Sequence, residues 1–212
     1  MNHPLAPIPP DRRPRRFAQL FAGLCLYGLT AAMLVLAGLG LDPWDVLHQG
    51  LARTFGLGIG TWAIFVSFAI LLAWWPLHQR PGFGTVANAV VVGAVIDLVL
   101  ALVHSPHQWW ARVALLIGAV LGNGVATGFY IGAGLGPGPR DGLSVGIAGR
   151  GHSMRVVRTT VELTVLVTGF LLGGSVGIGT VLYAAAIGPI THLTIPALAI
   201  SRRPREVRAR SA

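Results

Sequence analysis

The sequence predicts an all-α polytopic membrane protein with six transmembrane helices, arranged as two inverted three-helix repeats. Of its 212 residues, 53% are hydrophobic and only 11% are charged, whereas soluble domains carry about 25% charged residues. Six long apolar stretches follow one another, and two motifs of the first half return in the second. Three spans per repeat is an odd number, so the second copy is expected to lie upside down relative to the first.

The six stretches set the expected domain organisation. They cover residues 17–39, 60–77, 85–103, 113–133, 156–172 and 179–200. A hydrocarbon core of about 30 Å takes about 20 helical residues to cross, so each stretch is long enough for one span. We therefore expect repeat 1 over residues 17–103 and repeat 2 over residues 113–200, with basic tails at residues 1–16 and 201–212.

Two pairs of segments carry the duplication. AGLGLDPWDVL at residues 37–47 returns 96 residues later as AGLGPGPRDGL, with seven of eleven positions identical. GFGTVANAVVVG at residues 82–93 returns 95 residues later as GIGTVLYAAAIG, with six of twelve identical. A duplicated unit explains the conserved order and spacing better than chance.

The arginines predict the orientation. With both termini in the cytoplasm, fourteen of the sixteen arginines lie inside and only Arg53 and Arg112 lie outside, which satisfies the positive-inside rule. This orientation places the first motif copy at the outer face and the second at the inner face. The tails supply +7 of the net charge of +9. No basic face interleaved with aromatics is visible, so nucleic-acid binding is not expected.

A short amphipathic or re-entrant helix is expected after the first span of each repeat. Asp42 and Pro43 have the form of an N-cap and a first helical residue, and the apolar residues that follow recur at helical spacing. The segment at residues 43–55 could dip into the membrane or lie on its surface, and the sequence leaves both alternatives open. Its second copy, at residues 139–149, contains more glycine and predicts a weaker helix.

Asp97 is the sharpest candidate for function, because a carboxylate inside a span costs a few kcal/mol unless it finds a partner or water. Its repeat mate is His192. Such a pair could share a proton between about pH 5 and 8, as a coupled carrier requires. The alternative is that Asp97 reaches a backbone donor and His192 is a packing residue.

The other candidates are charged residues of the second repeat and of the duplicated motif. Glu162 lies four residues after Arg158, which predicts a local ion pair; in the functional alternative Glu162 faces a central cavity and Arg158 holds an anionic substrate or a gate. The motif contributes four further residues, expected to cap or bridge the short helices or, alternatively, to act as gates at the two faces: Asp42, Asp45, Arg140 and Asp141.

Several classes of site are not expected. Asp45 and His48 could both ligate a metal ion, but two ligands without a third are weak support for a metal site. Cys25 is the only cysteine, which excludes an internal disulfide and suggests a small packing residue. The glycines at every fourth position from Gly124 to Gly136 predict close helix packing. No nucleophile and base are recognisable, so neither an enzyme nor a cofactor site is expected.

The strings AGLGLDPWDVLHQGL, GFGTVAN and GPRDGL, together with the stretch from RTTVEL to IGTVLYAAAIGP, resemble those of the YczE-like bacterial integral membrane proteins, which are grouped with YyaS- and YitT-type proteins. The similarity covers residues 17–200. It implies a multi-span protein of the bacterial inner membrane, and it transfers no substrate, cofactor or site residue.

Inverted repeats with ionisable residues inside spans favour a small secondary transporter or permease for an unidentified small molecule or ion. A homodimer in the lipid bilayer is a further expectation, because six spans enclose little volume. The alternative function is that of a non-transporting accessory or scaffold protein. Such a protein would engage a partner or anionic lipid through its cytoplasmic loop and its arginine-rich tail.

Overall fold

The computed structural model describes residue 6 and residues 8–200 of the chain. Within these residues the chain is all-helical, as predicted, with eight α-helices and no β-strand. The helices are α1 (Arg13–Ala37), α2 (Pro43–Phe55), α3 (Ile59–Trp74), α4 (Phe83–Leu102), α5 (Trp109–Gly132), α6 (Pro139–Ala148), α7 (Met154–Leu171) and α8 (Ile178–Leu198). The predicted tail at residues 201–212, and residues 1–5 and 7 of the other tail, lie outside the described residues.

Helices α1 and α5 form an antiparallel pair at the centre of the molecule. Near the start of α1, Arg16 donates to the carbonyl of Ala133 at the end of α5 at 2.8 Å. Near the start of α5, Arg112 donates to the carbonyl of Ala37 at the end of α1 at 2.7 Å. A guanidinium is favourable at a helix C-terminus, where carbonyl groups lack partners. Helix α4 packs on α1 and α8 packs on α5, which gives a four-helix layer.

The glycine repeat along α5 is a packing surface, as predicted. A side chain at Gly124, Gly128 or Gly132 would collide with residues of α8, namely Ile190, Thr194 and Leu198. Without side chains at these positions, the two helices approach closely and gain van der Waals contact along their length.

A second layer contains the short helices α2 and α6 together with α3 and α7. Asp42 begins α2 as predicted, since its Oδ1 accepts hydrogen bonds from the backbone N–H groups of Trp44 at 3.0 Å and Asp45 at 3.3 Å. The first half of α2 is buried and packs on α3 and α7, so α2 lies inside the bundle. A bend of 112° separates α2 from α3. The bent pair α2–α3 has the form of a broken span or of a re-entrant loop.

All six predicted spans are helical, with bounds displaced by at most four residues. Four of them, α1, α4, α5 and α8, are long and apolar enough to cross a membrane, and the bent pair α2–α3 would make five. Helix α3 has only 16 residues, and α7 carries three charges at Arg155, Arg158 and Glu162. The chain is thus a multi-pass α-helical membrane protein by the length and apolarity of these helices.

The position of Cys25 corrects one expectation. Its side chain is exposed on the outer face of α1 and is not packed in the interior. The interior face of α1 runs through Leu20, Leu24 and Ala31, at the three- and four-residue spacing of one helical stripe. Cys25 lies outside that stripe.

Candidate functional site

The two copies of the duplicated motif have the same backbone conformation. In the first copy Gly38 and Gly40 have φ values of 62° and 114°; in the second, Gly134 and Gly136 have 68° and 124°. Residues with side chains rarely adopt these angles. Each pair of glycines turns the chain back into the bundle after a long helix, which places the next short helix in the interior.

Each copy is held by the other half of the chain. Gly84 N–H, at the start of α4, donates to the carbonyl of Leu135 at 2.8 Å. In the equivalent contact, Gly179 N–H at the start of α8 donates to the carbonyl of Leu39 at 2.8 Å. The two halves therefore make reciprocal contacts through the segments that the sequence repeats.

The charged residues of the two copies meet in the interior. The guanidinium of Arg140 lies 3.7 Å from carboxylate oxygens of both Asp42 and Asp45. It also lies 5.1 Å from the ring centroid of Trp44, a cation–π arrangement. Trp44 and Arg140 occupy the same position of the repeated motif, 96 residues apart.

This meeting contradicts the prediction that the two copies stand at opposite faces as separate gates. The long helices α1 and α5 do end at opposite ends of the molecule. Residues 38–42 and 134–138 then run back towards the middle, where Arg140 and Tyr27 line one cavity. Counting arginines in loops locates the ends of spans, and it cannot detect a chain that turns back from those ends.

The cluster around Arg140 continues into a buried dyad. His48 Nδ1 lies 3.1 Å from Asp45 Oδ1, and both side chains are almost completely buried. Nearby, Tyr130 donates its hydroxyl proton to Asp141 at 2.9 Å. All four charged residues of the motif therefore belong to one connected polar site.

Sequence reasoning missed the uncharged polar residues of this site. Tyr183 donates to Asn123 Oδ1 at 2.9 Å, and Asn123 Nδ2 donates to Thr30 Oγ1 at 3.1 Å. The repeat contained a usable signal, because Asn123 is the mate of Tyr27 and Tyr183 is the mate of Asn88. Polar residues at matched positions of two apolar spans would have indicated a shared interior site.

A cavity of about 520 Å³ lies between α6, α7, α8 and the start of α2. Five predicted candidates line it: Asp42, Arg140, Asp141, Arg158 and Glu162. A smaller cavity of about 80 Å³ adjoins it and shares Tyr27, Arg140 and Tyr183. The larger cavity has the volume of a small-molecule site, and its walls contain both charges and aromatic rings.

Arg158 and Glu162 form the predicted ion pair. Arg158 Nε lies 2.9 Å from Glu162 Oε1 on the same face of α7. Both residues also line the cavity, so the local pair and the cavity position are compatible. Their side chains are 60% and 39% exposed, which allows either partner to change its contacts at little cost.

Asp97 and His192 are not brought together as a proton-sharing pair. Asp97 caps α3: its two carboxylate oxygens accept from the backbone N–H groups of Gly60 and Thr61, each at 2.7 Å, and from the Thr61 hydroxyl at 2.7 Å. His192 is exposed on α8. The backbone-donor alternative for Asp97 is therefore the correct one.

The packing of the two halves differs at one interface. Helices α3 and α4 pack through Gly60 and Gly93, where an added side chain would strike the facing backbone. Helices α7 and α8 hardly touch. Gly188, the mate of Gly93, has open space around it and lines the large cavity. The cavity thus occupies the place that a helix contact fills in the other half.

Among the residues that the structure describes, no group of three or more His, Cys, Asp or Glu side chains is placed to hold a metal ion. The chemistry visible at the site is that of ion pairs, hydrogen bonds and aromatic faces around a cavity. Such a site can bind a polar or charged solute.

Comparison with known proteins places the chain among membrane proteins. It is 40% identical over 181 residues to an uncharacterized protein of Haemophilus influenzae, covering 85% of this chain and 83% of the relative. It is 31% identical over 204 residues to the uncharacterized membrane protein YczE of Bacillus subtilis, covering 92% and 94%. Identity to the uncharacterized protein YyaS of the same organism is 30% over 182 residues, covering 82% and 89%. No solved structure matches the chain significantly.

A family match agrees with these relatives and with the duplicated DPWD and GPRD segments. Residues 14–196 match the family of unknown function DUF6198. The match covers all eight helices except the ends of α1 and α8. The chain therefore belongs to the DUF6198 family, that of the YczE-like membrane proteins.

Proposed function

We propose that the protein is a small secondary transporter or permease of the bacterial inner membrane, built from two inverted three-span repeats. The observation that carries this proposal is the cavity of about 520 Å³ bordered by charged residues of both motif copies. In secondary transporters, interrupted helices meet near the middle of the membrane at the interface between repeats. Helices α2 and α6 begin at such an interface, beside Tyr27 near the middle of α1.

Three features support six spans with an inverted second repeat. The repeated glycines have matching φ angles, the hydrogen bonds of Gly84 and Gly179 are reciprocal, and α1 and α5 are antiparallel. Two copies of one unit in opposite orientation would make equivalent contacts at both ends in this way. In this proposal α3 and α7 are the remaining two spans, and both are short or charged because they border the polar site.

The distribution of arginines supports cytoplasmic termini. In this orientation the loop with Arg150 and the start of α7 face the cytoplasm, whereas Arg53 and Arg112 face outward. The cavity lies within a single chain, so the proposed pathway does not require a second copy.

The unequal packing of the halves supports alternating access. One half is closed by the contact of Gly60 with Gly93, and the other is open at Gly188. In the proposed cycle α7 closes on α8 while α3 separates from α4. The site would then open to the other side of the membrane by the rocking of one repeat against the other.

A cavity-filling variant tests this function. We expect Gly188→Trp to abolish transport, because its indole would occupy the open space around Gly188. Leu193→Trp is the matched control, since Leu193 is 72% exposed on the same helix. The gene is deleted from a strain, and the wild-type gene or one of the two variants is then returned to it. The solutes that accumulate in each of these strains are compared.

Restoration of the solute profile by the wild type and by Leu193→Trp, but not by Gly188→Trp, is the expected result. Full restoration by Gly188→Trp would rule out passage through this cavity. An identical profile with and without the gene would instead favour the accessory or scaffold role. That role would then be examined by deleting residues 201–212 and identifying the proteins that no longer co-purify with the chain.

A further inference from the structure

The guanidinium of Arg140 borders both cavities with its hydrogen-bond donors unused. Among the described residues it has no hydrogen-bond acceptor, since the carboxylate oxygens of Asp42 and Asp45 lie 3.7 Å away. A charge-assisted hydrogen bond of a guanidinium is about 2.7–2.9 Å long. Oδ1 of Asp42 already accepts from two N–H groups of α2. An acceptor oxygen in the cavity would therefore form hydrogen bonds that the protein itself leaves unmade.

Two carboxylates of the larger cavity have oxygens that a cationic group could use. Asp141 accepts from Tyr130 through Oδ2, and its Oδ1 has no donor among the described residues. Glu162 pairs with Arg158 through Oε1, in a side chain that is 39% exposed. Both carboxylates line the same cavity as Arg140. A ligand with charges of both signs would therefore find partners for each, without adding net charge to the interior.

The same cavity also has an apolar part. Its apolar lining residues on the last three helices are Val145 of α6, Met154 and Val161 of α7, and Ala184, Ile187 and Gly188 of α8. Val145 and Met154 are 45% and 44% exposed, and Ala184 and Gly188 are exposed as well. The cavity is thus amphipathic, with ionised groups in one part and an open apolar surface in the other.

The apolar part opens at the depth of the membrane interior. Helix α8 is long and apolar enough to cross a membrane, and Gly188 lies at the middle of its span from Ile178 to Leu198. A side chain at Gly188 would meet no atom within 4 Å, and α7 and α8 hardly touch. The middle of a span lies in the hydrocarbon core. The gap between α7 and α8 therefore suits an apolar chain and disfavours a purely polar solute.

We propose that the cavity binds a zwitterionic amphiphile, a lipid-like molecule whose headgroup carries an anionic oxygen group and an ammonium group. The anionic group accepts hydrogen bonds from Arg140 and Arg158, and the ammonium group donates to Asp141 and Glu162. The apolar chain leaves the cavity past Gly188, between α7 and α8. That this amphiphile is also the transported solute rests on the proposed transport function, whereas its binding does not.

Native mass spectrometry of the full chain in detergent tests this binding with three probes. Dioleoyl phosphatidylethanolamine has both charges and the apolar chains. Dioleoyl phosphatidylglycerol has the chains and the phosphate but no ammonium group, and glycerophosphoethanolamine has both charges but no chains. We expect one phosphatidylethanolamine per chain, bound about tenfold or more tightly than either of the other probes, because only this lipid uses both parts of the cavity.

Two tryptophan variants locate the bound lipid. Gly188→Trp should abolish the binding of phosphatidylethanolamine, because its indole fills the gap through which the chains leave. Leu193→Trp is the matched control and should bind like the wild type, since Leu193 is 72% exposed on the same helix and does not line the cavity.

Three polar variants test the recognition of the headgroup. Glu162→Gln should reduce the preference for phosphatidylethanolamine over phosphatidylglycerol, because it removes a partner of the ammonium group. Arg158→Gln and Arg140→Gln should each weaken the binding of both lipids about tenfold, the effect of a lost charge-assisted hydrogen bond. Size-exclusion chromatography checks that each variant is folded. Arg158 is 60% exposed, so its variant decides if Arg140→Gln does not fold.

Several outcomes would overturn the proposal. They are equal binding of glycerophosphoethanolamine, equal or tighter binding of phosphatidylglycerol by the wild type, full binding by Gly188→Trp, and a purified dimer that takes up no lipid. If the lipid binds as expected but the solute and lipid profiles are the same with and without the gene, the amphiphile site stands and the transport proposal fails. Restoration of a water-soluble solute by a chain that binds no amphiphile would refute the site and leave the transport proposal in place.

Discussion

Asp97 shows how a charged side chain of one apolar helix can cap a neighbouring helix. Both of its oxygens are occupied by hydrogen bonds from the start of α3, so it has replaced water with three fixed donors. Helix α3 has no capping side chain of its own at Gly58. A carboxylate from the neighbouring helix satisfies the N–H groups that a helix start always leaves free.

For Asp97→Asn we therefore expect a loss of stability and an unchanged solute specificity. An asparagine presents an NH₂ group to one of the two backbone donors, and hydrogen bonds to a charged group contribute about 1.5–3 kcal/mol. Thermal unfolding in detergent measures the effect, with His192→Gln as the variant that should leave the transition in place. An unchanged unfolding temperature for Asp97→Asn would show that the cap contributes nothing.

The side chains around Arg140 of α6 explain how its charge is accommodated in the interior. Arg140 alone would be an isolated charge in an apolar interior, which is a costly arrangement. It is tolerated because two aspartates of the other motif copy and the face of Trp44 surround it. The duplicated motif thus diverged in a complementary way, with acidic residues in one copy and a basic residue in the other.

The long helices and the short helices are held in place by different interactions. The long helices α1, α4, α5 and α8 are apolar enough to be placed by the membrane. The short helices depend on tertiary contacts: α2 passes so close to α7 that Gly50 meets the backbone at Gly169, and α6 packs Gly142 on Trp74. Isolated helices of this length are marginal in stability. Their burial, and not their sequence propensity, keeps them in the interior.

Gly128, on the α5–α8 interface, should not tolerate replacement by a residue with a large side chain. We expect Gly128→Leu to separate α8 from α5, because even a Cβ there lies 2.8 Å from the Thr194 side chain and 2.9 Å from its backbone. Gly118→Ala is the tolerated counterpart, since its Cβ meets only the flexible end of Met33 at 3.3 Å. Monodispersity of the detergent-solubilised protein reports the outcome. Equal monodispersity of the two variants would contradict the conclusion that the glycines of α5 allow α8 to pack closely.

At the scale of the whole molecule, the reciprocal contacts of the repeats define the architecture. Each repeated segment after a long helix accepts a hydrogen bond from the opposite half of the chain, so each half supplies contacts that the other lacks. The interior charges meet at the junction of the halves. A change in the angle between the repeats would therefore reshape the cavity directly.

The proposed inverted orientation predicts opposite accessibility of two equivalent loops. In a Cys25→Ala background, Leu57→Cys in the α2–α3 loop should react with an impermeant maleimide from outside. His152→Cys in the equivalent α6–α7 loop should react only after the membrane is permeabilised. Both positions are exposed, Leu57 at 64%, so burial does not limit the reaction. Labelling of both from one side would exclude an inverted second repeat.

The sequence alone was sufficient for the membrane class, the positions of the helices within four residues, the duplication and the family. These follow from local properties: apolar length, the Asp42–Pro43 helix start and the spacing of the motifs. It also identified most charged residues of the site, because ionisable groups among apolar helices are rare. The interpretation of Asp97 with His192 as a proton pair failed, since sequence spacing does not show which side chains already have partners.

Only the tertiary structure decided where the candidates meet. The glycines at positions 38, 40, 134 and 136 adopt positive φ angles and turn both motif copies inward, which brought Arg140 to Asp42 and Asp45. The structure also distinguishes two kinds of interior carboxylate. Asp97 caps a helix with both of its oxygens, whereas Asp45 and its partner His48 each have one polar atom without a hydrogen-bond partner. Local sequence determines which segments enter the membrane, because that depends on hydrophobicity. The pairing of charges inside depends on contacts between residues nearly 100 positions apart, and only the folded chain contains them.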